Sequence, residues 1–288
     1  MLYLSEFRFP DADREYTFRL REKRTCFDTM YPFFVLSKHS LERLDFEPIT
    51  ILYGGNGSGK TTALNVIAEK LGLKRDALFN RSDFYGDYLD MCRYKLGREH
   101  YADGRIITSD DVFDFMLDVR SVNDGIDAKR SELFDEYTDC KYSSFQLRSL
   151  DDYDRLKKVC ASRSKTMSKY VRANLKSNIR ERSNGESAFS YFTDRIGENG
   201  LYLLDEPENS LAPERQTELV KYLEDSVRYF GCQLIIATHS PFLLAMRGAK
   251  IYDFDENIVD VKKWTELHNV MLFYEFFKSH EKDFESDL

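Results

Sequence analysis

The chain has no run of 18 apolar residues, so no stretch of it reads as a membrane-spanning helix. Its opening, MLYLSEFRFPDADREY, carries acidic residues early and lacks a long apolar core, so a signal peptide is not expected. Cysteine is sparse and poorly spaced for chemistry. Cys26, Cys92, Cys140, Cys160 and Cys232 are odd in number, far apart, and include no CxxC pair. That pattern supports neither a disulfide frame nor a zinc site and fits reduced thiols in a cytoplasmic protein. The histidines are scattered, which argues against a His/Cys metal cluster. There is no internal repeat and no low-complexity tract. With a net charge of −8, the chain is not an obvious general binder of nucleic acid.

What remains is an ordinary globular composition with an uneven charge. Length 288 allows one large α/β domain or two small ones. Apolar residues make up 42% and aromatics 14%, enough to fill a core and exclude disorder. From Arg155 to Arg182 there are ten basic residues and one acidic residue, a net of +9 that leaves −17 on the rest. Alternation of Leu2, Leu4, Phe7 and Phe9, then Tyr16, Phe18 and Leu20, predicts antiparallel strands up to about residue 50. Ile49–Tyr53 reads as a buried strand before a glycine-rich turn. Leu64, Ile67, Ala68 and Leu71 then share a helical face that stops at Gly72. Residues 74–180 read as mostly helical, with a short strand near Ile106. Met167, Val171, Leu175 and Ile179 predict one amphipathic helix there. Leu201–Leu204 and Gln233–Ala237 are continuous apolar runs, as central parallel strands are. A last strand over Lys250–Phe254 and an aromatic helix over Thr265–Lys278 close the chain. The fold class expected is α/β, a mostly parallel central sheet with N-terminal antiparallel strands and a helical subdomain. The expectation is a single domain over 1–288. Within it, 1–73 and 187–288 form a nucleotide-binding lobe, and about 74–186 a mostly helical lobe.

Three strand ends carry chemistry. Gly54-Gly55-Asn56-Gly57-Ser58-Gly59-Lys60-Thr61, followed by Thr62, satisfies GxxxxGK[ST] between a strand and a helix. Glycines let backbone N–H groups close on phosphate oxygens, and the helix N-terminus adds donors. Lys60 is placed to neutralise β- and γ-phosphate charge, and Thr61 to offer a hydroxyl to Mg²⁺. The second strand ends in Asp205-Glu206. Asp205 is the expected Mg²⁺ contact, and Glu206 the expected base for an attacking water. The third ends in Thr238-His239-Ser240-Pro241, where His239 is placed to sense the γ-phosphate.

In order and spacing, the phosphate loop, LYLLDEPENSL and ATHSPFLL resemble the ATP-binding-cassette class of ATPases. They are most similar to its soluble branch, which includes RecF, SMC and Rad50 heads, overcoming-lysogenization-defect nucleases and stand-alone bacterial AAA-family ATPases. The likeness covers roughly residues 45–72 and 180–250. It implies a signature motif before the carboxylate strand, and Ser183, Gly185 and Glu186 stand in that place at the head of a helix. It departs from the pattern at Arg182, Asn184 and Glu186. In the family this motif meets the γ-phosphate of the opposite subunit, so the resemblance implies a homodimer closed around two MgATP. The family's usual Asp after the carboxylates is Ala212 here, and its usual glutamine is lacking. Asp110, after Arg105–Ser109, is the candidate replacement and a possible Mg²⁺ contact. The residue stacking on adenine stays open among aromatics such as Tyr3 and Tyr31.

Lys165, Lys169, Arg172, Lys176 and Arg180 form a basic stripe opposite the apolar side of the predicted helix. A solvated helix face has the same pattern as a site for nucleic acid or an effector protein. The function expected is a cytoplasmic ATP-hydrolysing switch or motor with ATP and Mg²⁺ as cofactors. The resemblance places it in DNA maintenance or bacterial defence with a partner. The rivals are a nucleotide-gated binding module with negligible hydrolysis and the ATPase subunit of a transporter.

Overall fold

The computed structural model describes residues 1–97, 100–143, 153–175, 184–209 and 211–285. In chain order the strands are β1 (Leu4–Arg8), β2 (Arg43–Asp45), β3 (Ile49–Tyr53), β4 (Arg93–Leu96), β5 (Asp103–Thr108), β6 (Gly200–Asp205), β7 (Gln233–Thr238), β8 (Lys250–Asp253) and β9 (Asp260–Lys262). The helices are α1 (Ala12–Arg21), α2 (Lys60–Leu71), α3 (Tyr85–Met91), α4 (Ser109–Tyr142), α5 (Tyr153–Ser164), α6 (Met167–Asn174), α7 (Asn184–Arg195), α8 (Pro213–Tyr229), α9 (Pro241–Leu244), α10 (His268–Ser279) and α11 (Glu281–Glu285).

Two compact units result: Met1–Phe113 with Asn184–Leu288, and Asp114–Ser183. The first holds a six-stranded sheet in the order β5-β6-β7-β3-β8-β9. Every pairing in it is parallel except β8 with β9. β3, β6 and β7 are buried along their whole length, which is why their sequences are unbroken apolar runs. A second sheet, β2-β1-β4, is antiparallel. Gln233 joins the two sheets. Its buried amide accepts from the N–H groups of Tyr3 and Leu4 and donates to the Leu4 carbonyl.

The expected α/β class holds, with its parallel core and N-terminal antiparallel strands. The segment with Tyr16, Phe18 and Leu20, however, is the helix α1. Asp11 caps it, accepting from the Arg14 N–H at 2.8 Å. Tyr16 and Leu20 are largely exposed, and the residue α1 turns inward is Glu15. The alternation therefore marked no buried strand face. β4 and β9 escaped notice because they are short, and their residues are mostly exposed.

In the second unit, α6 ends before Leu175, which is extended at φ −130°. Its buried side is Tyr170 and Val171, packed on Leu133 and Tyr137, and Leu175 just past its end packs on the same cluster. Tyr170 also bonds to Glu136, which pairs with Lys158. That polar link fixes the rotation of the helix and leaves Met167 half-exposed. Lys165, Lys169 and Arg172 are exposed. Lys176, Ile179 and Arg180 lie outside the described residues, so a stripe on one continuous helix ends at Arg172.

Candidate functional site: a phosphate loop and three strand ends

Parallel register brings the three motifs to one edge of the sheet. Tyr53 lies opposite Thr238, Asp205 opposite Ala237, and Thr108 opposite Asp205. The residues that follow these strand ends are Gly54, His239, Glu206 and Ser109. Ligands bind at this carboxyl edge in open α/β sheets.

The loop after β3 turns into α2 at Gly59, whose φ of +96° favours glycine. A Cβ there would also lie 3.1 Å from Leu36. Lys60 is buried and its Nζ donates to the carbonyls of Gly54 and Gly55 at 2.7 and 2.9 Å. The Ser58 hydroxyl is buried without a hydrogen-bond partner among the described residues. A buried orphan hydroxyl beside a helix N-terminus fits a phosphate oxygen. Asp255, just past β8, accepts from the Gly55 N–H at 2.7 Å and pins the loop's outer limb. Removing it with Asp255→Ala is expected to weaken ATP binding about fivefold, the size of one charge-assisted bond at an exposed position. Asp255→Asn keeps an acceptor oxygen and should restore most of the loss in a titration with fluorescent ATP.

Thr61 Oγ1 donates to Asp205 Oδ1 at 3.1 Å. Two hard oxygen donors in contact, one on the phosphate-loop helix, match the sparse protein ligation Mg²⁺ takes beside phosphates. Burial pushes the Asp205 carboxyl up to about 6, with the charge of Glu206 adding to the shift. An anion held at that cost favours a cation beside it. Among the described residues, no cluster of three or more His, Cys, Asp or Glu forms a self-contained metal site. Asp110 is exposed in the first turn of α4. Among the described residues no hydrogen bond or ion pair joins it to Thr61 or Asp205. Its neighbour Asp111 is the ordered carboxylate, accepting from Thr108 and from the Ala77 N–H.

Glu206 adopts φ +49°, a left-handed backbone unusual for a residue with a side chain. Its N–H donates to the Ala237 carbonyl at 2.8 Å, which holds the strained turn against β7. The turn leaves the carboxylate partly exposed beside His239 Nδ1, 3.8 Å away, and bonded to Asn209 at 3.0 Å.

Glu208 was not singled out by sequence reasoning, although it lies inside the quoted DEPENS string. It is buried, and its Oε1 accepts from the Thr238 hydroxyl and the N–H groups of His239 and Ser240. Its role is to position the tip of β7, including the His239 ring 3.6 Å away. Glu208→Ala strands those donors and is expected to lower stability by about 3 kcal/mol. Hydrolysis should fall further than ATP binding, because the residue touches the tip and not the phosphate loop. Chemical denaturation and separate kcat and Kd measurements check both.

α7 opens at Asn184 and buries Ala188 and Phe192, with Ile196 buried just past its end. Gly185 lies in its first turn. Glu186 is exposed and pairs with Arg215 of α8 at 3.5 Å. Ser183 lies outside the described residues. Of the two aromatics considered for adenine, Tyr3 is buried in the core with its hydroxyl on the Gly231 carbonyl. Tyr31 instead reaches the phosphate-loop helix, donating to the Thr62 hydroxyl at 3.2 Å.

This strand–loop–helix unit, with acids and a histidine on neighbouring parallel strands, places a phosphate loop at the carboxyl edge of a mostly parallel α/β sheet. Residues 184–244 match the family described as an AAA ATPase domain, a stretch that runs from α7 through α9. No curated protein matches the chain significantly. Among solved structures, the chain aligns with the SMC head domain from Thermotoga maritima at 13% identity and TM-score 0.40, covering 91% of this chain and 99% of that one. It aligns with the Pyrococcus furiosus Smc head domain, solved with the C-terminal domain of ScpA, at 13% identity and TM-score 0.42, covering 96% and 100%. A bacterial ABC transporter cassette solved as a dimer aligns at 13% identity and TM-score 0.36, covering 79% and 92%. Among the described residues, no helix is long and apolar enough to cross a membrane.

Proposed function

We propose that the chain is a cytoplasmic MgATPase switch that closes as a homodimer around two nucleotides and reopens on hydrolysis. The observation that carries this reading is the Thr61–Asp205 contact with Glu206 and His239 on the adjoining strand ends. Backbone N–H groups of Gly57, Ser58 and Gly59 and the Lys60 ammonium bind the phosphates. Thr61 and Asp205 would hold Mg²⁺, directly or through its water, and it would supply positive charge against the phosphates. Glu206 accepts a proton from the attacking water, and His239, beside it, donates a hydrogen bond to the γ-phosphate. Ser183, Gly185 and Glu186 of the second copy complete the site in this reading. The partner it serves acts in DNA maintenance or defence, as the resemblance implies.

The test is phosphate release by the purified chain with MgATP, alongside light scattering on Glu206→Gln. A steady release that Glu206→Gln abolishes, with a further doubling of the nucleotide-free mass when MgATP is added, supports the switch. Tight ATP binding by the wild-type chain with no release, even when candidate partners are added, would replace it with a nucleotide-gated binding module.

A further inference from the structure

α10 is apolar on more than one side. Its sequence, HNVMLFYEFFKS, buries only Val270. Phe273, Tyr274 and Phe277 share a side with Val270 and line a groove of about 550 Å³. The opposite side presents Leu272 and Phe276, 50% and 57% exposed. A helix with large apolar side chains on two opposite sides presents more apolar surface than one packed face covers. The far wall of the groove is Pro241 and Phe242 of α9, and its floor includes Glu208, His239 and Ser240. Trp264, the only tryptophan in the chain, borders it as well.

We propose that α10 and this groove form an interface with a second copy of the chain, made without nucleotide, in which each copy's α10 lies in the other's groove. Two features select a second copy as the occupant. The first is shape. An α10 inserted antiparallel would set its Phe273–Tyr274–Phe277 side against the same side of its partner. Its Leu272–Phe276 side would then face the Pro241–Phe242 wall. A two-fold axis satisfies both contacts at once, as an isologous interface requires. Both apolar sides of α10 then have a use, while Glu275 and Lys278 stay on its polar side. The second is area. Trp264, Leu272, Phe273, Tyr274, Phe276, Phe277 and Phe284 are each about half exposed. At ~200 Å² per side chain, with Met271 and Phe242 added, they offer roughly 800 Å² per partner, the scale of a stable dimer. Exposed apolar patches of that extent mark interaction surfaces. The groove floor is the histidine tip, so this interface also places the second copy against the residues that position His239.

The interface needs no ATP and stands or falls separately from the nucleotide sandwich. Light scattering on the full chain in EDTA without nucleotide is the measurement. The wild type is expected at twice the 33.9 kDa chain mass. Phe277→Glu and Phe276→Glu, on opposite sides of α10, should each raise the dimer dissociation constant about 30-fold or more. Circular dichroism identifies any variant that fails to fold, and the other variant then decides. Emission from Trp264 should shift to longer wavelength in the variants and on dilution of the wild type. A wild-type chain at single mass without nucleotide overturns the proposal, whatever else the groove binds. So does a folded variant of either side that keeps the wild-type mass and emission.

Discussion

Glu206→Gln is expected to bind MgATP about as tightly as the wild type and to release phosphate at least ~100-fold more slowly. The argument is geometric. Glu206 lies one residue past β6, and its left-handed backbone turns the carboxylate out beside His239 rather than into the sheet. Among the described residues it makes no hydrogen bond to the phosphate loop, so losing its charge leaves the cradle of Lys60 and Thr61 intact. The amide keeps an oxygen for Asn209, which holds the side chain in place. What the variant loses is the ability to take a proton from water, and general-base catalysis is worth ~100- to 10,000-fold. Single-turnover phosphate release, with ATP affinity measured separately, distinguishes this from a binding defect. Equal losses in affinity and rate would mean Glu206 acts through Mg²⁺ and not on water.

The residues proposed to act on phosphate could be picked out because each chemistry sits in a short string at the end of an apolar run. Strand burial produces the run, and the strand's carboxyl end sets the position of the chemical residue. Glu206 and His239 are 33 positions apart, yet both could be read because each had its own strand. The supporting residues were not legible, because their partners are distant. Asp255 meets Gly55 across 200 positions, and Gln233 meets Tyr3 and Leu4 across about 230. Neither pairing has a local signal. Glu208 is different, since it stands inside a quoted motif; its burial and its bonds to the β7 tip are what reveal its role. The α1 segment misled for a physical reason. Alternating Tyr16, Phe18 and Leu20 imitate a strand, but Asp11 following Pro10 is a helix start, and Tyr16 and Leu20 are not core residues. Similarly, Met167 and Leu175 have helical spacing with Val171, while the helix is rotated by the Tyr170–Glu136 bond and ends at Asn174.

Asp205→Asn is expected to separate stability from function in opposite directions. The carboxylate is buried, and burial raises it to about 6, above the ordinary carboxylate range. An acid raised on folding contributes full stability below about pH 4, and that contribution is lost as pH rises toward 6. Two units correspond to ~3 kcal/mol at neutral pH. Asparagine has the same shape, keeps an oxygen for the Thr61 hydroxyl, and carries no charge to desolvate. In EDTA without nucleotide, the variant should therefore unfold at higher denaturant concentration than the wild type at pH 7, and the gap should shrink toward pH 4. Function runs the other way. A neutral amide is a poor partner for Mg²⁺, so the gain in ATP affinity on adding Mg²⁺ should fall at least tenfold, and turnover with it. Isothermal titration with and without Mg²⁺ measures the second effect, and urea titration at several pH values the first. A variant less stable than wild type at pH 7 would mean that Asp205 is held by attractive contacts strong enough to outweigh its burial. In that case the reading of Asp205 as an anion kept for a cation fails.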